Sequence, residues 1–176
     1  MGLRNNPLKY VTFKVKCGYF GLLGNESALL RSCLPAKSKQ VCIGALLSDI
    51  ENAEFDKSRF KDLQEQITAY FKGGHADFSN VSVDLKGFNS FSRKILTACQ
   101  KIPFGQTTTY GRLAQIAGSI KGARAAGNVL AKNPVPLIIP CHRVVCSSGR
   151  LGGFSAAGGT TTKKILLNLE QKTIRD

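Results

Sequence analysis

The chain has 176 residues, 43% of them hydrophobic, which is enough for one large or two small domains with a real core. Residues 1–6 lack the apolar core of a signal peptide and no apolar run reaches the length of a bilayer span, so we expect no membrane partner. The six cysteines show no disulfide-framework spacing, which favours a reducing, intracellular compartment: the cytoplasm in a prokaryote or the nucleus in a eukaryote.

The formal net charge of +14 is unevenly distributed along the chain. Residues 87–176 contain 13 Lys and Arg against two acids, Glu170 and Asp176, whereas residues 1–86 contain 12 against nine. Such asymmetry is typical of a protein that binds a polyanion, most often nucleic acid. A merely solubilising surface is the alternative, but it would not require the acids to be missing from one half only.

The first half, residues 1–86, predicts a small α/β scaffold domain with an antiparallel sheet. Val11, Phe13 and Val15 alternate with polar residues, which is the pattern of a half-buried strand over 10–16. Gly73-Gly74 ends a helix whose apolar residues lie between positions 60 and 71. The remaining elements predicted in this half are strands over 19–23, 28–34 and 81–85 and a helix over 39–49.

Possible metal ligands in the first half are scattered. Cys17, Cys33, Cys42 and His75 are not at the spacing of ligand pairs, so we predict buried thiols and no metal.

The second half, residues 87–176, predicts a mainly α-helical domain. A helix over 88–99 is followed by one that Thr108 or Thr109 caps and Gly118 closes, and then by a third over 121–132. The last two predict a helix-turn-helix. The third helix carries one long cation, Arg124, among alanines and a glycine, which suits entry into a groove of DNA, although small residues also serve plain helix packing.

The stretch 133–145 leads to a cysteine and a histidine. Three prolines in seven residues forbid a helix, and the residues between them are apolar, so we predict a stiff, buried, extended segment ending at Cys141 and His142. A buried edge strand with an inert thiol is the alternative. A glycine-rich loop over 149–159 follows, and then a last helix capped by threonines 160–162.

The string Pro140-Cys141-His142-Arg143-Val144, preceded by Asn133-Pro134 and followed by the glycine-rich loop, resembles the active-site signature of the O6-alkylguanine-DNA alkyltransferases. The resemblance covers residues 88–170 and is almost ungapped over 104–155. It implies a DNA repair protein that flips O6-alkylguanine out of the duplex and transfers the alkyl group irreversibly to its own cysteine, and it leaves open whether O4-alkylthymine is repaired as well. The implied partner is double-stranded DNA, bound in the minor groove by a monomer without a cofactor.

The resemblance also implies roles for individual residues. Cys141 is the nucleophile, His142 acts on it through a bound water, Glu170 orients the imidazole, and Tyr110 hydrogen-bonds the purine. Val144, Ser155, Phe154 and Asn133 form the base-binding group, in which Asn133 also holds the active-site segment. Arg124 fills the gap left by the flipped base, because its planar cation takes the place of a base. The remaining residues predicted to bind DNA are Ala125, Ala126, Gly127, Thr109 and Arg143.

The site departs from the family pattern at one residue and in one loop. Phe154 stands where many relatives carry Tyr, and the loop after Ser155 is longer than usual.

Two other functions fit part of the sequence. A non-catalytic lesion-binding relative would lack Cys141, and a Cys-His hydrolase would need neither a helix-turn-helix nor a basic half. Cys146, the thiol nearest in sequence to Cys141, is predicted to be buried.

Overall fold

A four-stranded sheet organises the first half of the protein, whose computed structural model describes residues 7–175. Its strands are β1 (Leu8–Val15), β2 (Gly18–Gly24), β3 (Leu29–Ala36) and β4 (Ala53–Phe55). They have the spatial order β3-β2-β1-β4, in which β1 pairs antiparallel with β2 and β2 with β3. The pairing of β4 with β1 is parallel, so the sheet is mixed. The antiparallel prediction is confirmed for three strands, and β4 escaped prediction because three residues are too few to show alternation.

The two faces of this sheet pack against different partners. Helix α1 (Lys39–Leu47) covers one face, where Cys42 and Leu46 meet Leu23, and Ser38 caps the helix by accepting a hydrogen bond from the Val41 amide. The other face joins the main core, to which helix α2 (Lys61–Phe71) contributes Ile67 and Tyr70. Both helices lie where their apolar spacing predicts them.

Two predictions in the first half are corrected. Residues 81–85 form no strand, because only Val83 makes an isolated bridge, with Leu29. Cys42 is buried as predicted, but Cys17 is exposed in the turn between β1 and β2.

The second half is mainly helical, as predicted. Its helices are α3 (Ser90–Gln100), α4 (Tyr110–Ile116), α5 (Ala123–Leu130) and α6 (Gly159–Arg175). Helices α4 and α5 pack against each other and are joined by the turn 117–122, in the predicted helix-turn-helix arrangement. Thr109 caps α4 by accepting a hydrogen bond of 3.1 Å from the Arg112 amide. Short strands β5 (Thr108–Thr109) and β6 (Val144–Val145) pair in parallel.

The last helix begins earlier than the sequence predicts. Threonines 160–162 lie inside the first turn of α6 instead of preceding it, and the Thr162 hydroxyl donates to the Ala157 carbonyl at 2.7 Å. The glycines at 158 and 159 have positive φ values, which turn the chain sharply enough for the helix to begin there.

The proline-rich segment is buried but not extended. The Ile139 amide donates to the Val135 carbonyl at 2.9 Å, Leu137 has a φ of 79°, and Cys141–Arg143 forms one turn of 3-10 helix. The prolines exclude regular helix, and the chain folds back on itself instead. The prediction of a stiff, apolar entry is therefore correct for burial and wrong for backbone conformation.

The two halves share one hydrophobic core, so the division at residue 86 stays a prediction. Strand β3 also contacts the proline-rich segment directly. The Ser32 amide donates to the Pro134 carbonyl at 3.0 Å and the Ser32 hydroxyl to the Pro136 carbonyl at 2.8 Å. Within residues 7–175, no helix combines the length and the apolar character that a bilayer crossing requires. Residues 1–6, on which the signal-peptide prediction rests, lie outside this range.

Candidate active site

Cys141 lies at the wall of a cavity beside the second helix of the helix-turn-helix. The cavity has a volume of about 670 Å³. The Cys141 residue is 6% exposed, so its thiol reaches the cavity from an otherwise buried position. The other walls come from α4, α5 and the glycine-rich loop, and include Tyr110, Arg124, Gly127, Cys146, Phe154 and Ser155. Three separate segments therefore meet at the thiol.

Asn133 holds both the proline-rich segment and the thiol. Its Nδ2 donates to the Ile139 carbonyl at 2.8 Å and to the Cys141 Sγ at 3.3 Å, while its Oδ1 accepts from the Val135 amide at 3.1 Å. These bonds occupy its amide, and Asn133 lines a second, smaller pocket that also borders Cys141 and Ser155. Its assignment to the base-binding group stays a prediction, and its predicted role in holding the segment is consistent with the geometry.

The Cys141 thiol is not ionised by its surroundings. Burial raises its pKa, and the hydrogen bond from Asn133 and the charge of Lys163 offset this only in part. A thiolate is the reactive form of cysteine, so this thiol needs a base.

His142 and Glu170 form a buried pair behind the nucleophile. The imidazole Nε2 and the Glu170 Oε1 are 2.8 Å apart, and both side chains are fully buried. Burial alone would raise the pKa of Glu170, but hydrogen bonds from His142 and Arg143 outweigh it and lower the pKa to about 2. The carboxylate accepts, so Nε2 carries the proton and Nδ1 presents a free lone pair.

Nδ1 is the atom through which His142 can act on the thiol. It is buried and has no hydrogen-bond partner among residues 7–175. Burial lowers the pKa of His142, and the bond to Glu170 offsets this only in part, so the imidazole is neutral near pH 7. A neutral imidazole with an available Nδ1 is a competent general base.

Arg143 is part of this buried network and not of the DNA surface. Its Nε and Nη2 donate to Glu170 at 3.0 and 2.9 Å, and its Nη1 donates to the Ile102 carbonyl at 2.6 Å. The residue is 5% exposed. Its predicted DNA contact is therefore wrong, because a charge this deeply buried must be paired inside the protein.

Lys163 on α6 is a site residue that the sequence did not predict. Its fully buried side chain donates to the Val144 carbonyl at 2.5 Å and to the Tyr110 hydroxyl at 3.3 Å. Burial raises the pKa of Tyr110, so the phenol stays protonated beside the Lys163 ammonium, whose own pKa burial lowers. A lysine on the buried face of an amphipathic helix was the only available signal.

The residues predicted to bind DNA divide between surface and core. Arg124 and Ala125 are exposed and Gly127 is half-buried, whereas Ala126 is fully buried and cannot contact DNA. Thr109 caps α4 and also lines the cavity. Asn128, which was not predicted, lies on the same wall.

Of the residues predicted to bind the base, Phe154 and Ser155 line the cavity, but Val144 does not. Val144 is fully buried and its carbonyl accepts the Lys163 bond, which leaves the second lone pair of that carbonyl available, so the predicted contact of its backbone with the base stays a prediction. Cys146 is half-buried and lines the cavity, which corrects the prediction of a buried thiol.

Among the described residues, no three His, Cys, Asp or Glu side chains converge where a metal could bind.

These features define a class: helix-turn-helix proteins in which a buried cysteine, backed by a histidine–glutamate pair, opens into a cavity at the second helix. The family model described as 6-O-methylguanine DNA methyltransferase, DNA binding domain, matches residues 90–172. A methylated-DNA–protein-cysteine methyltransferase of Methanosarcina acetivorans is 34% identical over 161 residues, which span 92% of this chain and 97% of that one. One of Mycolicibacterium paratuberculosis is 40% identical over 113 residues, spanning 64% of this chain and 66% of that one.

Solved structures agree. Mycobacterium tuberculosis OGT in complex with DNA superposes with a TM-score of 0.78 and 32% identity, and the match covers 94% of both chains. This chain belongs to the methylated-DNA–protein-cysteine methyltransferase family.

Proposed function

We propose that this protein repairs double-stranded DNA by transferring an alkyl group from guanine O6 to its own Cys141. The observation that carries the proposal is the placement of the Cys141 thiol in the cavity beside α5, with the His142–Glu170 pair behind it. A cavity of about 670 Å³ admits a purine with its alkyl group. A non-catalytic lesion binder would not need this nucleophile and its base.

The chemistry follows from the protonation states. Through a bridging water, His142 Nδ1 takes the proton of Cys141 Sγ, and the thiolate attacks the alkyl carbon in line with the departing oxygen. The carbon–sulfur bond forms as the carbon–oxygen bond breaks, and the electron pair leaves with guanine. Tyr110 donates a proton to the leaving purine, and the Lys163 ammonium at 3.3 Å stabilises the resulting phenolate.

Access requires that the base leave the stack. A buried thiol cannot reach guanine O6 inside a duplex, so the nucleotide rotates into the cavity. We infer that α5 enters the minor groove, since its exposed residues Ala123 and Ala125 allow close approach of the helix to the DNA. Arg124 is exposed between these two alanines and also lines the cavity, which suits a side chain that occupies the gap.

The direct test is to incubate the protein with an oligonucleotide duplex containing O6-methylguanine and to analyse its peptides by mass. We expect the mass of one methyl group on the peptide that contains Cys141, and repair that stops at one equivalent. Water does not cleave the thioether, which lacks the carbonyl that lets an acyl-enzyme be hydrolysed. Turnover beyond one equivalent, or methyl mass on Cys146, would contradict the proposal.

A second expectation concerns Arg124→Ala. Repair of duplex DNA should slow by ~10-fold or more, while transfer from a free O6-alkylated guanine should be unchanged, because only the duplex must lose a stacked base. Rates on both substrates measure this directly. Lys164→Ala removes an exposed cation of the same half that does not line the cavity, and serves as the control. Equal losses on both substrates would exclude the role of Arg124 in flipping.

A further inference from the structure

The Glu170 carboxylate receives a hydrogen bond from the first half of the chain. The Tyr70 hydroxyl donates to Glu170 Oε1 at 2.8 Å, across 100 positions of sequence. Tyr70 lies at the end of α2 and is fully buried. Tyr70 is therefore distant in sequence from α4 and α5, but its hydroxyl and the imidazole of His142 bond the same carboxylate.

Three side chains share the same carboxylate oxygen. Oε1 accepts from Tyr70 at 2.8 Å, from His142 at 2.8 Å and from Arg143 Nη2 at 2.9 Å. The other oxygen accepts the Gly105 amide at 2.9 Å and Arg143 Nε at 3.0 Å. Each donor stabilises part of the same negative charge. Each one therefore reduces the electrostatic stabilisation that the carboxylate gives to the protonated imidazole.

We propose that Tyr70 is a positioning residue of the first half that fixes the Glu170 carboxylate and limits the basicity of His142 through the shared oxygen. The inference rests on the proposed function of His142 as the base for Cys141. Burial raises the pKa of Tyr70 well above its ordinary value, and the charge of Glu170 adds to this, so the phenol stays protonated and donates to the carboxylate.

Among the side chains around the His142–Glu170 pair, Tyr70 is neutral and can be altered without changing a charge. The charged and titratable groups that face the imidazole are Glu170 and Lys163 on α6 and Arg143 and Cys141 on its own turn. Removing any of these would change a charge or remove the nucleophile. Tyr70→Phe deletes one hydroxyl and preserves the ring, which packs edge-on against Phe71 and Phe104.

The direction of the effect follows from the hydrogen bonds. Without the Tyr70 donor, the Glu170 charge acts more strongly on His142, and the pKa of the imidazolium rises. His142 must be neutral to accept the thiol proton. A higher pKa of His142 therefore moves the acidic limb of the pH–rate profile toward higher pH. We expect a shift of about 0.5–1 pH unit, in keeping with the loss of one hydrogen bond to a charged group.

The experiment compares the wild type, Tyr70→Phe and Thr173→Val. The rate of transfer from an O6-methylguanine duplex is measured against pH, and the His142 imidazole is titrated by NMR. The protein has two histidines, and His75→Gln assigns their signals. Thr173→Val is the matched control, because it removes the bond of 3.0 Å between α6 and the Gly73 carbonyl without touching Glu170.

The inference is supported when Tyr70→Phe raises both the NMR pKa of His142 and the midpoint of the acidic limb, while Thr173→Val leaves both in place. A lower active fraction with an unmoved His142 pKa would overturn it and reduce Tyr70 to a packing residue. A wild type that transfers no alkyl group would instead overturn the proposed function, and the NMR titration would still report the coupling between Tyr70 and His142.

Discussion

Cys141→Ala should abolish alkyl transfer and preserve DNA binding. The thiol supplies the new bond to carbon, and no other group at the cavity wall has both a nucleophilic sulfur and the His142 relay behind it. The substitution removes one buried atom, and Asn133 keeps its bond to the Ile139 carbonyl, so the segment stays in place. Loss of methyl from an O6-methylguanine duplex measures transfer, and fluorescence anisotropy of the same duplex measures binding.

Cys146→Ala is the matched control for Cys141→Ala. Cys146 lines the same cavity, but Asn133 bonds Cys141 instead, and Cys146 is not next to His142 in the sequence. Its removal should leave at least about half of the wild-type rate, because this sulfur takes no part in the proposed transfer and a twofold loss corresponds to only about 0.4 kcal/mol. Residual transfer by Cys141→Ala that disappears in the double variant would assign the nucleophile to Cys146 instead.

The second large effect is on stability. Glu170→Ala should lower the free energy of unfolding by roughly 3–5 kcal/mol, the cost of leaving a buried charge unpaired. The Arg143 guanidinium loses all three of its hydrogen bonds to the carboxylate, and Tyr70 and His142 each lose an acceptor. Urea unfolding near pH 7 measures the change. Glu65→Ala on the exposed face of α2 should change stability by less than about 0.5 kcal/mol.

The pH dependence of this deficit has a definite sign. The Glu170 pKa of about 2 in the folded protein is lower than that of an unperturbed glutamate, so its contribution is fully present above the unfolded value, about 4.3. The contribution falls as the pH drops from about 4.3 toward 2. The wild type and Glu170→Ala should therefore converge in stability over that range. A difference that stayed constant down to pH 2 would show that the carboxylate is not the source of the stabilisation.

Helices with a regular apolar face were predictable from the sequence, and so were the residues of the active-site string. The spacing of Ile67 and Tyr70 located α2, and Thr109 marked the start of α4. Strand β4 was not predictable, because its pairing with β1 is decided by tertiary contacts over three residues. Local patterns report the period of an element, and they carry no information about which distant segment it meets.

The residues that pair with buried charges were the main part of the site that could not be predicted from the sequence. Arg143 follows His142 directly, in a basic half, and its charge alone suggested DNA. Its burial depends on Glu170, 27 positions later. The same applies to Lys163 and Tyr70, whose roles depend on acceptors supplied by other elements. The sequence predicted the residues to which we assign the reaction, whereas the geometry was needed to find those that surround the His142–Glu170 pair and the Tyr110 hydroxyl.

The bonds from Ser32 and Tyr70 to the second half tie the reactivity of Cys141 to the order in which the chain folds. They join residues 104 and 100 positions apart, and closing segments of that length is a late event in folding. Until these contacts form, the Glu170 carboxylate lacks its bond from Tyr70 and the proline-rich segment lacks its bonds from β3. Under the proposed single-turnover mechanism, the one reaction of each molecule would therefore be confined to the fully folded state, in which Arg124 of α5 is also exposed.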